Sequence, residues 1–494
     1  MLNPRPWGRY RSGDVKRTWD LVVLGGGSAG LVASLTAAGL GARVALIEAD
    51  RPGGDCLYTG CVPSKSLIAS ARLAHDIRHA GGLGLEPLEP RFDFARVMER
   101  IGSVIDAAGE HDSPEYLGSQ GVEVVQGHGR FAAPGVVSVD DRELRFRAAL
   151  IATGSRPAVP PIAGIDSADV LTNETVFELR ELPQRLAVLG GGPVGVELAQ
   201  AFGRLGSRVE LVEMAGELLP REDPEASRLI ALQLADEGVQ VHTQTRATGV
   251  PGPCRLSAEG PAGTIELGFD RLLVAAGRRP VVDDLGLDTV GVETTAEGWI
   301  RVDRFLRTTG DRIFAAGDAV GELFFTHVAG YHALVAMANA LFRARRKVDH
   351  SAIPSVTFTD PEVARVGLTE PQARERLGRE PLVFRHDYAR SDRALTASAT
   401  QGFAKLIADR RGRLLGATVV GEAAGESIAE VARLVRDGGK VAELSQTVHA
   451  YPTFTEAPAR AADDWWRYKY LNPHGRRRLR PLLALLRALD RPRG

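Results

Sequence analysis

The sequence predicts an α/β fold with two parallel sheets wound by helices, followed by a separate C-terminal region. Three observations predict it. The 494 residues are too many for one hydrophobic core, so several domains are expected. A strand–glycine–helix pattern occurs twice, as Gly25-x-Gly27-x-x-Gly30 and Gly190-x-Gly192-x-x-Gly195. Each copy closes on an acid at the same offset, with Glu48 falling 23 residues after Gly25 and Glu213 falling 23 after Gly190.

The first copy is DLVVLGGGSAGLVASLTAAGLGARVALIEAD, residues 20–50. Leu21 to Leu24 read as a buried strand, Ala29 to Leu40 as a helix, and Arg43 to Ile47 as a second strand. Gly25 permits the tight turn, Gly27 lets a pyrophosphate approach the backbone, and Gly30 lets the helix pack on its strand. The helix N-terminus offers free N–H groups to that pyrophosphate, and Glu48 is placed to accept hydrogen bonds from a ribose diol. The pattern predicts a dinucleotide site.

GGDCLYTGCVPSK, residues 53–65, follows and holds Cys56 and Cys61, two of only three cysteines. Five residues of regular helix turn through roughly 500°, leaving the two side chains about 140° apart. A disulfide needs Cα atoms within about 7 Å, so pairing requires an irregular first turn, which Gly53, Gly54 and Gly60 permit. The pair reads as a redox-active dithiol or, taken alone, as two small buried hydrophobes. No second Cys or His pair sits nearby at zinc-ligand spacing, so no metal site is expected. A helix is predicted to start near Lys65, with Leu67, Ile68 and Leu73 on its apolar face.

A helical stretch near 92–118 and a β-rich stretch near 121–151 come next. The latter runs into ALIATGSRP, where Thr153 and Gly154 break a buried strand at a place suited to a close cofactor approach. Residues 157–164 are proline-rich and read as a linker. After the second glycine copy, Glu213 suits a free ribose 2′-hydroxyl and repels a 2′-phosphate, which favours NADH over NADPH. RLLVAAGRRP, residues 271–280, echoes the earlier segment and places Gly277 at a strand end. RIFAAGDAVG, residues 312–321, runs into Gly317 and Asp318, an acid positioned for a ribityl or ribose hydroxyl or for a plain Asx turn.

Composition excludes several classes. The formal net charge is −1 with 44% apolar and 25% charged residues, so neither disorder nor a nucleic-acid partner is indicated. Three cysteines cannot build a disulfide framework. The N-terminal stretch has basic residues but no apolar core of a signal peptide, and no apolar run reaches spanning length. A cytoplasmic protein is expected.

CLYTGCVPSK between two dinucleotide patterns, then AAGDA, then HAYPTFTEA resembles the flavoprotein disulfide reductases, over about residues 20–466. That family includes dihydrolipoamide dehydrogenase, glutathione reductase and mercuric reductase, and GVELAQAFGRLGS looks most like the mercuric-reductase branch. The resemblance implies an FAD domain over 20–157 and 283–350, an NAD(P)H domain over 158–282, and an α+β dimerisation domain over 351–466. A leader (1–19) and a basic tail (467–494) flank them. It implies a homodimer in which a hydride passes from NADH to FAD and two electrons then reach Cys56–Cys61 and a small-molecule or protein disulfide. By resemblance Cys61 lies against the flavin, Cys56 meets substrate, and Lys65 pairs with Glu197 near the flavin. By the same resemblance, His327 and the helix after Phe325 would place a helix N-terminus at the flavin's pyrimidine end, stabilising the anionic reduced ring.

One departure bears on the acceptor. Where thiol-specific members carry His-Pro-Thr-x-Ser-Glu, this chain has Tyr451-Pro452-Thr453-Phe454-Thr455-Glu456. A phenol near pKa 10 is a poor base where a histidine near 6.5 serves well. His449 would share a face with Tyr451 in an extended segment, as a substitute base. Mercuric reductases tolerate this tyrosine, which opens metal-ion or quinone reduction, although no cysteine follows Cys254 to relay a soft metal. Cys254 is read as a bystander.

The tail WWRYKYLNPHGRRRLRPLLALLRALDRPRG is strongly basic, with Leu482, Leu485, Leu486 and Leu489 spaced for one helix face. It suits anionic lipid at a membrane surface, a protein partner, or apolar surface of its own dimer. A further reading is therefore an electron-donating subunit docked through this tail.

Overall fold

The computed structural model describes residues 18–490, apart from the side chains of His474 and Arg478. Most of the expected leader and the last four residues of the tail lie outside the described residues. Thr18–Trp19, assigned to the leader by sequence, instead form a short strand parallel to Arg145–Phe146.

The first unit is organised on a five-stranded parallel sheet in the order 313–315, 149–151, 21–24, 44–48, 122–126. Strand alternation decides what each face meets. Leu21 and Val23 pack with the helices Ser28–Gly39 and Thr326–Phe342, whereas Val22 and Leu24 pack on an antiparallel layer containing Phe131, Val137 and Leu144. The second unit repeats the plan. Its parallel order is 170–171, 271–274, 185–189, 208–212, 240–242. Val188 faces the helical side with Phe202, and Ala187 faces an antiparallel layer with Leu256 and Leu267. The chain thus contains two copies of one three-layer body. The two segments that echo each other in sequence pair with each other, Ser155–Pro157 running antiparallel to Arg278–Pro280.

The third unit is α+β: a five-stranded antiparallel sheet in the order 354–357, 362–367, 414–421, 403–408, 382–387. The helices Ala424–Asp437 and Glu456–Trp466 share its core, which includes Val419, Ile428 and Trp465.

Four local expectations are corrected. The helix expected at Lys65 begins at Cys61 and runs to Arg78, because Gly60 already accepts from the Ser64 N–H. Leu73 is 61% exposed rather than on the apolar face. The stretch near 92–118 is two helices, Phe94–Gly109 and Pro114–Ser119. Ser113 caps the second, accepting from the Tyr116 N–H, and Pro114 supplies its first residue. Finally, residues 447–455 form no strand, so His449 and Tyr451 share no face.

Candidate active site

The cysteines sit on two helices rather than one. Gly54–Tyr58 is a single short helix carrying Cys56, and Cys61 opens the eighteen-residue helix that follows. The break lies at Thr59-Gly60, where a side chain on Gly60 would come within 2.9 Å of the Asp55 carbonyl oxygen. This break brings the two sulfurs into hydrogen-bond contact as free thiols. The bond from Cys56, assisted by Thr326 and Lys65, lowers the Cys61 thiol to about 6 against its burial. The same bond and burial push Cys56 well up. Position at a helix N-terminus acts in the same direction on Cys61. Both shifts favour the proton on Cys56 and the negative charge on Cys61.

Three units converge on these sulfurs. Thr326, the first residue of its helix, lies 3.5 Å from Cys61 Sγ through its hydroxyl. Next to it, burial lowers the pKa of His327, whose ring donates from Nε2 to the Pro354 carbonyl at 2.9 Å. Lys65 Nζ is 2.7 Å from the buried Glu197 carboxylate of the second unit, and Glu197 also accepts from the Phe358 N–H of the third at 2.8 Å. The Lys65 ammonium stands 4.5 Å above the Phe358 ring.

On the other side, Asp55 joins the cysteine helix to the strand ends. Arg278 donates to Asp55 and to the Ser155 hydroxyl, both at 2.6 Å, and Ser155 donates to Asp318 at 2.6 Å. Asn173 adds a bond to Asp55 at 2.9 Å. Burial raises the Asp318 carboxyl above its usual range, partly offset by Ser155 and Arg278. Sequence reasoning missed Arg278, Ser155, Asp55 and Thr326. The one available signal was the matched Gly-x-Arg-Pro of the two echoing segments.

The glycine loops have the shape a dinucleotide requires. A side chain on Gly30 would lie 1.8 Å from the Gly25 carbonyl oxygen, and one on Gly195 would lie 1.9 Å from that of Gly190. Gly25 and Gly190 have φ of +101° and +114° and abut Ala152 and Ala275. By contrast, Gly192 has no atom within 4 Å of an added Cβ, and Gly27 has only the Gly54 Cα at 3.9 Å. These middle glycines leave open space before helix N-termini that no side chain caps. Glu48 accepts from the Gly26 N–H at 2.6 Å, and Glu213 accepts from the Gly191 N–H at 2.5 Å. In the first unit the buried Thr153 hydroxyl has no partner, beside Gly154 at φ +73°. Open space, uncapped amides, a strand-end acid and an orphaned hydroxyl together fit a flavin dinucleotide. Gly277, at φ +142°, closes the matching strand of the second unit, and Gly317 leads into Asp318.

The remaining candidates lie elsewhere, on the third unit. Tyr451 is 65% exposed and donates to Asp392 at 2.6 Å, which raises its pKa further. His449 turns inward, with Nε2 2.8 Å from Glu430 and Nδ1 2.9 Å from the Thr447 carbonyl. Glu456 accepts from Arg460 at 3.0 Å. Tyr451, Glu456, Asp392 and Arg390 line a cavity of about 270 Å³. Cys254 is exposed at a turn between strands of the second unit's antiparallel layer. Among the described residues, no group of three or more His, Cys, Asp or Glu could hold a metal ion.

Comparison with known proteins places the chain in a family. Residues 19–334 match the family model for pyridine nucleotide-disulphide oxidoreductases, and residues 353–462 match the dimerisation domain of that family. The chain is 39% identical to a mercuric reductase of Streptomyces lividans over 454 residues, spanning 90% of this chain and 95% of that one. It is 35% identical to dihydrolipoyl dehydrogenase 3 of Haloarcula marismortui over 469 residues, spanning 92% and 97%. Among solved structures, LpdA of Mycobacterium tuberculosis superposes with a TM-score of 0.82 at 30% identity, covering 91% of this chain and all of that one. A Cu(II) complex of the HOCl-induced flavoprotein disulfide reductase RclA from Escherichia coli gives 0.80 at 29%, covering 90% and 99%. This chain is an enzyme of the class I flavoprotein disulfide reductases, the pyridine nucleotide-disulphide oxidoreductase family, whose members use FAD and a pyridine nucleotide.

Proposed function

We propose that the enzyme is a cytoplasmic homodimer that uses NADH to reduce a disulfide-type substrate through Cys56 and Cys61. The observation that carries this reading is the sulfur pair itself, two free cysteines in hydrogen-bond contact, set at a helix N-terminus beside Thr326. FAD would occupy the first unit, residues 20–157 and 283–350, held by the Gly25–Gly30 loop, Glu48, Thr153, Gly154 and Asp318. NADH would occupy 158–282, on the Gly190–Gly195 loop with Glu213 at its ribose and Gly277 alongside. When bound, FAD supplies the two-electron chemistry between nicotinamide and sulfur.

The chain's own residues do the rest. Two electrons open the Cys56–Cys61 disulfide to a thiol and a thiolate, with uptake of one proton. Cys56 passes its proton across the hydrogen bond to Cys61 and attacks the substrate disulfide as the thiolate; one substrate thiol leaves with that proton, and Cys61, again a thiolate, attacks Cys56 to release the second. The proton held between the sulfurs and one from solvent leave on the two product thiols, which balances the reaction. Lys65, fixed by Glu197, keeps positive charge near Cys61. Residues 351–466 form the dimer contact and carry Tyr451 and Glu456 toward the partner's cysteines. Tyr451 acts there as a hydrogen-bond donor, and neither it nor the doubly engaged His449 serves as a base.

Anaerobic titration of the FAD-loaded enzyme with NADH tests the assignment. A long-wavelength thiolate–flavin band should develop at two-electron reduction and be absent in Cys61→Ser. A chain that takes up no FAD, or a Cys61→Ser variant that keeps the band, would sink it. The coenzyme preference has its own test. Glu213→Gln should reduce kcat/KM for NADH about 10- to 100-fold, the weight of a hydrogen bond to a charged group. Preference for NADPH in the unaltered enzyme would overturn that part.

A second reading, metal-ion or quinone reduction by the same centre, is favoured by Tyr451. A phenol whose pKa Asp392 raises exchanges no proton near neutrality, so it supplies no acid–base relay for thiol products. Steady-state turnover with lipoamide, glutathione disulfide, Hg²⁺ and quinones separates the two.

A further inference from the structure

The helix Pro473–Leu489 has no part in the reaction above. On a helical projection Leu479, Leu482, Leu483, Leu485, Leu486 and Leu489 fall within an arc of about 160°. Their exposures run from 36% to 70%. Of the helix's five arginines, Arg476, Arg477, Arg480 and Arg487 fall on the facing arc, about 100° wide, and position 478 falls within the leucine arc. None of these four arginines makes an ion pair among the described residues, and the helix contains no acid. Asp490 closes it. At its base the Trp466 and Tyr470 rings stack with centroids 5.5 Å apart, and Lys469 lies 5.1 Å from the Tyr470 ring. Tyr468 and Leu471 are exposed beside them. Aromatic rings with a polar edge, next to lysine, are the residues that settle at lipid headgroup level.

We infer that this helix lies in the plane of an anionic membrane surface, with its leucines in the acyl boundary and its arginines at the lipid phosphates. A protein groove reads a helix through a stripe of i, i+3, i+4 and i+7 anchors, narrower than the leucine arc here. Four arginines on one face, without ion pairs among the described residues, complement the dense negative charge of an anionic bilayer. No helix among the described residues is long and apolar enough to cross a membrane, so the contact is peripheral. The inference does not depend on the substrate or on the roles of the cysteines.

The test is co-sedimentation of the full-length, FAD-loaded enzyme with phosphatidylcholine vesicles, with and without phosphatidylglycerol, at low and high salt. Binding is expected only with phosphatidylglycerol and is expected to weaken as salt rises. Arg476→Glu, Arg477→Glu and Arg480→Glu together should weaken it at least about a hundredfold, from about fivefold per lost basic residue. Leu482→Ser with Leu486→Ser should weaken it with the arginines intact. Light scattering should show the same dimer mass, and turnover with NADH should be unchanged, in every variant. No binding of the unaltered enzyme at low salt, equal binding by the variants, or a change in dimer mass would each overturn the inference. The last result would place the helix on the enzyme's own subunit contact.

Discussion

At the scale of single residues, the chemistry rests on one proton between two sulfurs. Cys61 is brought to about 6 chiefly by the bond from Cys56, so its thiolate is present above that pH and is lost as pH falls through it. The thiolate–flavin band of the two-electron-reduced enzyme should therefore fade on acidification with a midpoint near 6, as followed by absorbance. A midpoint near 9, the ordinary thiol value, would show that the bond from Cys56, with Thr326 and Lys65 behind it, does not hold the Cys61 thiolate. Tyr451 permits a sharper statement. Asp392 holds its proton in place, so it contributes no ionisation near neutrality. Tyr451→His introduces a group near pKa 6.5, and the profile of kcat/KM against pH should gain a limb there. An unchanged profile would mean that this position does not reach the reacting sulfurs. The cysteine pair, the two strand-end glutamates and Asp318 were legible because each is defined by local spacing. Arg278, Thr326 and Asp392 were not, since each earns its place through partners 59 to 265 residues away.

At the scale of elements, the two glycine loops show how far a motif can be read. Sequence assigns the three glycines three functions, and the structure separates them by what a side chain would meet. Gly195 is fixed by the fold, because a methyl group there would lie 1.9 Å from the Gly190 carbonyl oxygen. Gly192 has open space, so a methyl group there costs the protein little by itself. Gly192→Ala should leave the thermal unfolding midpoint within a degree or two while raising KM for NADH about tenfold or more. Gly195→Ala should lower the midpoint by several degrees, as backbone clashes of this kind are costly. Equal destabilisation by both would remove the distinction. The helix that starts at Cys61 teaches the complementary lesson. Its apolar periodicity rests on Leu67, Ile68 and Leu73, of which only Leu67 is fully buried. Ala71 and Ala74 join Leu67 in the core, while polar joints tie the helix to distant parts of the chain, Lys65 to Glu197 and Arg72 to Glu422. Periodicity reports burial against a continuous core and is silent about such joints.

For the whole molecule, the question is what holds the second unit against the third, so that Glu197 stays beside Lys65. Buried ion pairs do much of it. Arg204 binds Glu237 at 2.6 Å and Asp360 at 2.8 Å, and Arg365 binds Glu222 at 2.7 Å. The most enclosed pair is Lys405, 7% exposed, with Asp223 at 3.0 Å, and Lys405 also lies 2.7 Å from Glu225. Asp223 is 1% exposed and also caps the helix Pro224–Asp236 by accepting from the Glu225 N–H. Removing one partner of such a pair leaves an uncompensated buried charge, which costs about 3–5 kcal/mol, whereas removing both charges is far less costly. Lys405→Met should therefore lower stability by that amount in chemical denaturation of the FAD-loaded enzyme. Adding Asp223→Asn, which keeps the cap while discharging the carboxylate, should recover a large part of the loss. The single variant should also disturb the Lys65–Glu197 joint, visible as a shift of the thiolate–flavin band that the double variant reverses. If the double variant proved less stable than the single one, Lys405 would be filling space rather than balancing charge, and the placement of the second unit would have to rest on apolar packing alone.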